Sequence, residues 1–346
     1  SGIQVIPQIA TQARHLYVFQ RTPNYTIPLR NQPLDVETLN GWKADHAERR
    51  KQMLKTATGV IRPAPTQPAS AFSPAEREEI LEQRWREGGT SFAFAFTDVF
   101  VNEEVNEIVA EFVRRKILET VRDRRTAERL LPYDHPVGTK RICADTGYYE
   151  TFNRENVTLV DIRDGGIKEI LPDGLRTGKG DFALDAIVFA TGFDALTGAL
   201  TAVDIRGRLG ASLSETWAEG PRTYFGLMSA GFPNLFFVNG PLAPSVLVNQ
   251  VVASEQDVEW IGRCLAWLAH RKLTTIEADS KAESAWVRHV GELAEGTLYP
   301  RAKSWYMGAN IPGKARRFLA YMGRLDKYLE VRAQSEEEGY KGFLLR

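Results

Sequence analysis

The stretch Leu184-Asp185-Ala186-Ile187-Val188-Phe189-Ala190-Thr191-Gly192-Phe193-Asp194 constrains the fold more than any other part of the chain. Ile187, Val188 and Phe189 are consecutive, so a strand here is apolar on both faces, as in a parallel strand buried within a sheet. Ala190, Thr191 and Gly192 then remove bulk where the chain leaves the strand's carboxyl end, the place at which open α/β sheets hold their ligands. A core strand ending in an ordinary turn gives the same pattern. The stretch therefore sets an α/β expectation and no function of its own.

The start of the chain supplies a partner for such a sheet. Ile3, Ile6, Ile9, Ala10 and Ala13 recur at helical spacing, with Pro7 tolerable in an early turn, and Leu16–Gln20 follows as a strand. A small-residue start, a helix, and a strand about twenty residues on form the second half of a dinucleotide-binding βαβ unit. Gly2 is then the last glycine of a G-x-G-x-x-G turn, and Ser1 and Gln4 join it as cofactor contacts. The residue at the strand's tip sits beside the adenosine ribose in such units. An acid there accepts from a ribose 2′-OH, whereas Arg21 and Thr22 offer a guanidinium and a hydroxyl to a 2′-phosphate, favouring NADPH over NADH. A solvated arginine before Pro23 is the alternative.

Pro23, Pro28 and Pro33 stop regular structure, and a helical segment runs from near Asp35 to Leu54 with a charged, solvated face. Residues 57–72 read as a long loop. Ser73-Pro74-Ala75-Glu76 is a capping box with proline in the first turn, launching a helix that ends at Gly88-Gly89. Further helix runs through Val105, Ile108, Val109, Phe112 and Ile117 and again from Ala127 to Leu131, so residues 32–134 read as a helical insertion. Beyond it, Gly138-Thr139-Lys140-Arg141 places two adjacent cations in a glycine-containing connection. That pair is suited to anion recognition or to steadying a negatively charged intermediate, and equally to a solvated surface. Tyr148, Tyr149 and Phe152 read as core.

Val157–Val160, Ile167–Leu171 and Leu175–Thr177 read as short strands, the last two joined by the turn Pro172-Asp173-Gly174. Val203–Arg206 and Pro233–Val238 are further strand candidates. Val251, Val258, Ile261, Leu265 and Leu268 mark a long amphipathic helix starting near Asn249, after a glycine turn at Gly240-Pro241. A helix N-terminus behind such a turn meets the polar groups of a cofactor, although plain packing gives the same pattern. A second helix spans Asp279 to Ala294. The loop Ser304–Lys314, rich in aromatics, glycine and proline, either lines a pocket through Trp305 or is anchored in the core by it.

Lys+Arg and Asp+Glu balance at 44 each in 346 residues, which argues against nucleic acid or a membrane surface as partner. Cys143 and Cys264 are far apart and the five histidines are scattered, so neither a disulfide framework nor a zinc site is expected, and the chain reads as a reduced, cytoplasmic protein. No apolar run approaches the roughly 20 residues that span a bilayer. Ser1-Gly2-Ile3-Gln4 reads as the interior of something longer.

Taken together, Phe19-Gln20-Arg21-Thr22-Pro23-Asn24-Tyr25, Gly138-Thr139-Lys140-Arg141, Tyr148-Tyr149-Glu150-x-Phe152-Asn153-Arg154, Ala190-Thr191-Gly192-Phe193-Asp194-Ala195-Leu196-Thr197-Gly198 and Ser304-Trp305-Tyr306-x-Gly308-Ala309-Asn310-Ile311-Pro312-Gly313 resemble the flavin-dependent Baeyer–Villiger monooxygenases. The branch is the one acting on phenylacetone-like, cyclic and steroid ketones, and the match runs from residue 1 to residue 346. The resemblance implies an α/β flavoprotein with two dinucleotide-binding, Rossmann-like domains for FAD and NADP. It places part of the NADP domain at 1–31 and 135–192, a helical insertion at 32–134, and the C-terminal part of the FAD domain at 193–346. It implies that NADPH and O2 convert a ketone to an ester or lactone through a C4a-peroxyflavin.

By motif position, Arg21 and Thr22 resemble the 2′-phosphate contacts and Lys140 a further NADP contact. Arg141 resembles the active-site arginine, a task for which a permanent cation is needed. Trp305 resembles the tryptophan that touches NADP and substrate, Gln250 falls beside the flavin ring, and Ser245, Val246 and Leu247 match a pocket loop. The N-terminal FAD fingerprint of that family is missing from this sequence, so the partner expected first is the N-terminal FAD-binding segment of the same enzyme. A poorly folded, inactive fragment is expected of these residues alone, and a monomer of the whole. Two alternatives remain: a flavin N-hydroxylase, which should not need the Lys140-Arg141 pair, and an inactive NADP-binding fragment.

Overall fold

The computed structural model describes residues 2–346, so the contact expected of Ser1 lies outside the described residues. The chain divides into two compact units, Ser1–Gln32 with Ala64–Gly192, and Pro33–Pro63 with Phe193–Arg346.

In the first unit the helix Gly2–Ala10 leads into β1 (Leu16–Gln20). β2 (Thr26–Pro28) and β3 (Cys143–Asp145) form a parallel pair, with Thr26 opposite Cys143. β4 (Val157–Asp161) runs parallel to β1, Leu16 facing Val157 and Gln20 facing Asp161. β5 (Ile167–Leu171), β6 (Gly174–Thr177) and β7 (Gly180–Ala183) make an antiparallel meander. The helix Pro74–Glu87 begins as its sequence dictates: Ser73 Oγ accepts from the Glu76 N–H and the Glu76 carboxylate accepts from the Ser73 N–H. Asn102 caps Glu103–Thr120, and Asp123 caps Arg124–Leu130. Val18, Tyr25 and Ile27 from the strand segment share one core with Leu81, Phe92, Phe112 and Ile117 from the helical segment, and Tyr148, Tyr149 and Phe152 belong to it as expected. Each such large side chain contributes roughly 1.5–3 kcal/mol of burial.

In the second unit the helix Gln250–His270 is capped by Asn249, whose Oδ1 accepts from the Val251 and Val252 N–H groups. Asp279 caps Ser280–Glu295 in the same way, and Leu325–Glu337 follows. β8 (Ile276–Ala278) pairs antiparallel with β9 (Phe343–Leu345). The helices Val36–Ala44 and His46–Leu54, broken at Asp45, also belong here. The Thr58 carbonyl accepts from the Asn249 N–H at 2.8 Å, the Ala57 carbonyl from the Leu325 N–H at 2.8 Å, and Arg50 pairs with Glu255 at 2.7 Å. These bonds divide the 32–134 span, which the sequence reads as one insertion.

Three expectations need correcting. Residues 184–194 form no strand: β7 ends at Ala183, no strand among the described residues offers them a ladder, and Val188, Phe189 and Phe193 are 61%, 66% and 87% exposed. Val203–Arg206 contributes only an isolated bridge from Arg206 to Ser212, and Pro233–Val238 is interrupted by Asn234 at φ 58°, outside any extended conformation. The long helix buries Val252, Ala253, Trp260, Cys264 and Leu268, whereas Val251, Val258 and Leu265 are exposed, because Trp260 claims the core. No helix among the described residues is long and apolar enough to cross a membrane.

Candidate functional site

β1 delivers Arg21 to its tip. Gln20 ends the strand with its Nε2 donating to the Arg129 carbonyl at 2.9 Å, and Arg21 comes next, exposed, with Thr22 half-buried behind it. The residue at that tip is a cation rather than an acid, so with Thr22 it offers a guanidinium and a hydroxyl, while Asp161 at the end of the neighbouring strand is bound by Arg163. The helix Gly2–Ala10 has no acid in its first turn either, and Gln4 is exposed on it. A methyl group at Gly2 would meet Ala190 Cβ at 3.5 Å, an ordinary contact. Glycine is therefore not sterically demanded at this position.

The basic loop is fixed from beneath. Buried Asn106 accepts from the Val137 N–H at 2.8 Å and donates to the Val137 and Val99 carbonyls at 3.1 and 2.9 Å. Gly138 follows at φ 84°, where a Cβ would stand 2.2 Å from Phe100 Cε1, so both conformation and space select glycine. Thr139 is buried and donates to the Pro136 carbonyl at 2.7 Å. Lys140 Nζ then reaches Asp134 Oδ2 at 2.9 Å, and Arg141 is exposed. Burial pushes the Asp134 carboxyl up, but hydrogen bonds from His135 and Lys140 hold it well below the usual carboxylate range.

The strand tip and the basic loop meet. Asn24 Nδ2 donates to the Arg141 carbonyl at 2.9 Å, just ahead of the β2–β3 ladder. The fold thus ties the segment that carries Arg21 and Thr22 to the basic loop through Asn24. Sequence reading missed Asn24, Asp134 and His135 as parts of this candidate site. Asn24 lies inside the quoted motif Phe19–Tyr25, whereas Asp134 and His135 only stand a few residues before the basic pair.

The remaining candidates lie on the second unit. Ser245, Val246 and Leu247 form a 3-10 turn. Ser245 is buried at φ 46° and its Oγ has no hydrogen-bond partner among the described residues, while Val246 and Leu247 are half-buried. Gln250 is the exposed first residue of the long helix, and its carbonyl accepts from Asn239 Nδ2 at 3.2 Å. Trp305 is half-buried and stacks on buried Tyr306 with centroids 4.0 Å apart, so Tyr306 is the anchor of this loop. Asn310 Nδ2 donates to the Phe193 carbonyl at 3.0 Å, and Lys314 pairs with Asp194 and donates to the Ala195 carbonyl at 3.1 Å. The loop is therefore clamped to the residues that open this part of the unit.

These donor sets fit dinucleotides. A cation and a hydroxyl at a strand tip suit a phosphorylated ribose, and the acid-free N-terminus of the Gln250–His270 helix suits a polar group of a second nucleotide.

No family model matches the chain. A Baeyer–Villiger monooxygenase of Pseudooceanicola batsensis is 38% identical over 99% of this chain and 63% of its own length. The chain belongs to the Baeyer–Villiger monooxygenase family. A solved steroid monooxygenase bound to NADP superposes with a TM-score of 0.93 at 43% identity, over 99% of this chain and 64% of that one. A structure of OTEMO in complex with FAD and NADP superposes at 0.95 with 37% identity, over 100% of this chain and 64% of that one. The Baeyer–Villiger monooxygenase fold, an α/β architecture seen there with both nucleotides, is thus the fold of this chain. A phenazine N-monooxygenase of Lysobacter antibioticus is also related, 34% identical over 100% of this chain and 64% of its own length. The chain spans a little under two thirds of these relatives.

Proposed function

We propose that this chain is part of an enzyme that uses NADPH, FAD and O2 to convert a ketone to an ester or lactone, with NADP+ and water as the other products. The observation that supports the reading is the Asn24 bond to the Arg141 carbonyl, which ties the segment following Arg21 and Thr22 to the loop of Lys140 and Arg141. Arg21 and Thr22 hold the 2′-phosphate of NADPH, and Lys140 adds a further contact. Arg141 supplies a charge that no accessible pH removes, steadying negative charge that builds as oxygen is transferred to the ketone. Bound FAD supplies the activation of O2. Gln250 would help to hold the flavin, and Ser245, Val246 and Leu247 would shape the ketone pocket with Trp305.

In this reading residues 1–31 and 135–192 are the NADP part, the 64–134 portion of the 32–134 span is inserted into it, and 193–346, joined by 33–63, is the C-terminal part of the FAD domain. Residues outside this sequence supply the remaining FAD contacts. The whole acts as a cytoplasmic monomer.

The test uses the complete protein with NADPH, O2 and a panel of cyclic, aryl and steroid ketones. Ester or lactone is the expected product. Arg141→Ala should still let NADPH bleach the flavin while ester formation is lost, and ester formation retained by that variant removes the role given to Arg141. The phenazine-oxidising relative favours one second reading, oxidation at nitrogen. An N-oxide formed from a heteroaromatic amine, with no ester from any ketone, would select it.

A further inference from the structure

Lys140 and Arg141 are separated from Asn24, three residues past Arg21, by more than a hundred residues of chain, yet one short chain of hydrogen bonds joins them. We propose that Asp134, His135 and Asn24 are positioning residues, a relay that fixes the Lys140 ammonium and the Arg141 backbone against the strand tip. The direction of each bond follows from chemistry. The Arg141 carbonyl can only accept, so the atom of Asn24 that faces it at 2.9 Å is the amide nitrogen. Asn24 Oδ1 is thereby turned to His135 Nε2 at 3.1 Å, and that nitrogen must carry a hydrogen. His135 Nδ1 faces Asp134 Oδ1 at 2.7 Å. The ring is thus held between Asn24 and Asp134, and the other Asp134 oxygen accepts from Lys140.

The relay is built rather than incidental. The His135 side chain is fully buried, with the Tyr25 ring edge-on to it at 5.2 Å. The Asn24 carbonyl accepts from the Tyr149 hydroxyl at 3.4 Å, and the Cys143 N–H donates to the Tyr25 carbonyl at 3.4 Å, so the backbone on both sides is held. Asn24 and Arg141 each stand just ahead of a strand of the parallel β2–β3 pair. The side-chain bond thus extends that ladder to the residues that carry the cations. A shift of the tip moves the basic loop with it. The consequence for oxygen transfer rests on the ketone-monooxygenase reading, whereas the relay itself does not.

Asn24→Asp tests it with almost no change of shape: the carboxylate still accepts from His135 but cannot donate to the Arg141 carbonyl. In the complete protein, amide hydrogen exchange at residues 138–141 should rise about tenfold or more, the size of one lost hydrogen bond of about 1.4 kcal/mol. Exchange in the Glu103–Thr120 helix should be unchanged. Ester formed per NADPH consumed should fall while flavin content holds, and His135→Ala combined with Asn24→Asp should be no worse than either alone, because both act through one chain of bonds. Unaltered exchange at 138–141 in Asn24→Asp would overturn the relay. Faster exchange in a protein whose wild type makes no ester would uphold the relay and sink the ketone reading.

Discussion

Arg332 Nη1 lies 2.7 Å from Asp257 Oδ1 with both side chains buried, and the guanidinium sits between the rings of Trp260 and Tyr328, 5.6 and 5.0 Å from their centroids. Asp257 Oδ2 accepts from the Asn239 N–H at 2.8 Å, so the pair also pins the bend before the long helix, where Asn239 adopts φ 52°. Burial raises the Asp257 pKa above the ordinary carboxylate value, outweighing Arg332 and the Asn239 N–H. Its ionised form is thus already held against desolvation. Arg332→Met leaves that charge alone and should cost about 3–5 kcal/mol in urea unfolding of the complete protein. Adding Asp257→Leu should restore most of the loss and leave a deficit of about 1–3 kcal/mol for the stranded Asn239 N–H. A double variant as weak as Arg332→Met would show that packing, not charge, is at stake.

Gly138→Ala should destabilise the first unit by about 1–3 kcal/mol or more, since it combines a left-handed conformation with overpacking. The added Cβ would stand 2.2 Å from Phe100 Cε1 at φ 84°. The denaturation midpoint reports the loss. An unchanged midpoint would mean that Phe100 moves aside freely and that the loop's geometry is not fixed there.

What could be read from sequence was what is local. Ser73, Asn249 and Asp279 announce helix starts because a side-chain oxygen and the N–H groups it satisfies lie within three residues. β1 was legible because its helix precedes it directly. β2 and β3 were not, since three-residue strands carry no periodicity and their partner lies far along the chain. The 184–194 stretch has the composition of a buried strand, but a strand exists only with a neighbour, and among the described residues none pairs with it. At the candidate site the motifs singled out Arg21, Thr22, Lys140 and Arg141 residue by residue, whereas the Asn24 bond to the Arg141 carbonyl spans 117 residues and has no local signature.

Arg21→Ala should weaken NADPH by about 1.5–3 kcal/mol, the scale of a charge-assisted hydrogen bond, and leave NADH nearly unaffected. Arg21 is exposed at the end of β1, so its removal should not change the unfolding midpoint. Flavin-reduction rates against NADPH and NADH concentration give both affinities. Equal losses for the two cofactors would remove the 2′-phosphate role.

Acid should loosen the end of the β1–β4 pair before it unfolds the rest. Asp161 faces Gln20 in that register and is bound by Arg163 through two nitrogens. Hydrogen bonds from Arg163 pull the Asp161 pKa down to about 2. A carboxylate lowered in the folded state contributes stability that is present above its unfolded value of about 4 and is lost as pH falls through the folded value. Arg163 is 56% exposed, so solvent screening reduces this contribution to about 1 kcal/mol. Asp161→Asn should therefore lower stability at pH 6 by that amount and flatten the decline between pH 4 and about 2, as read from urea midpoints across that range. If the variant declines as steeply as the wild type, the acid sensitivity belongs to other carboxylates.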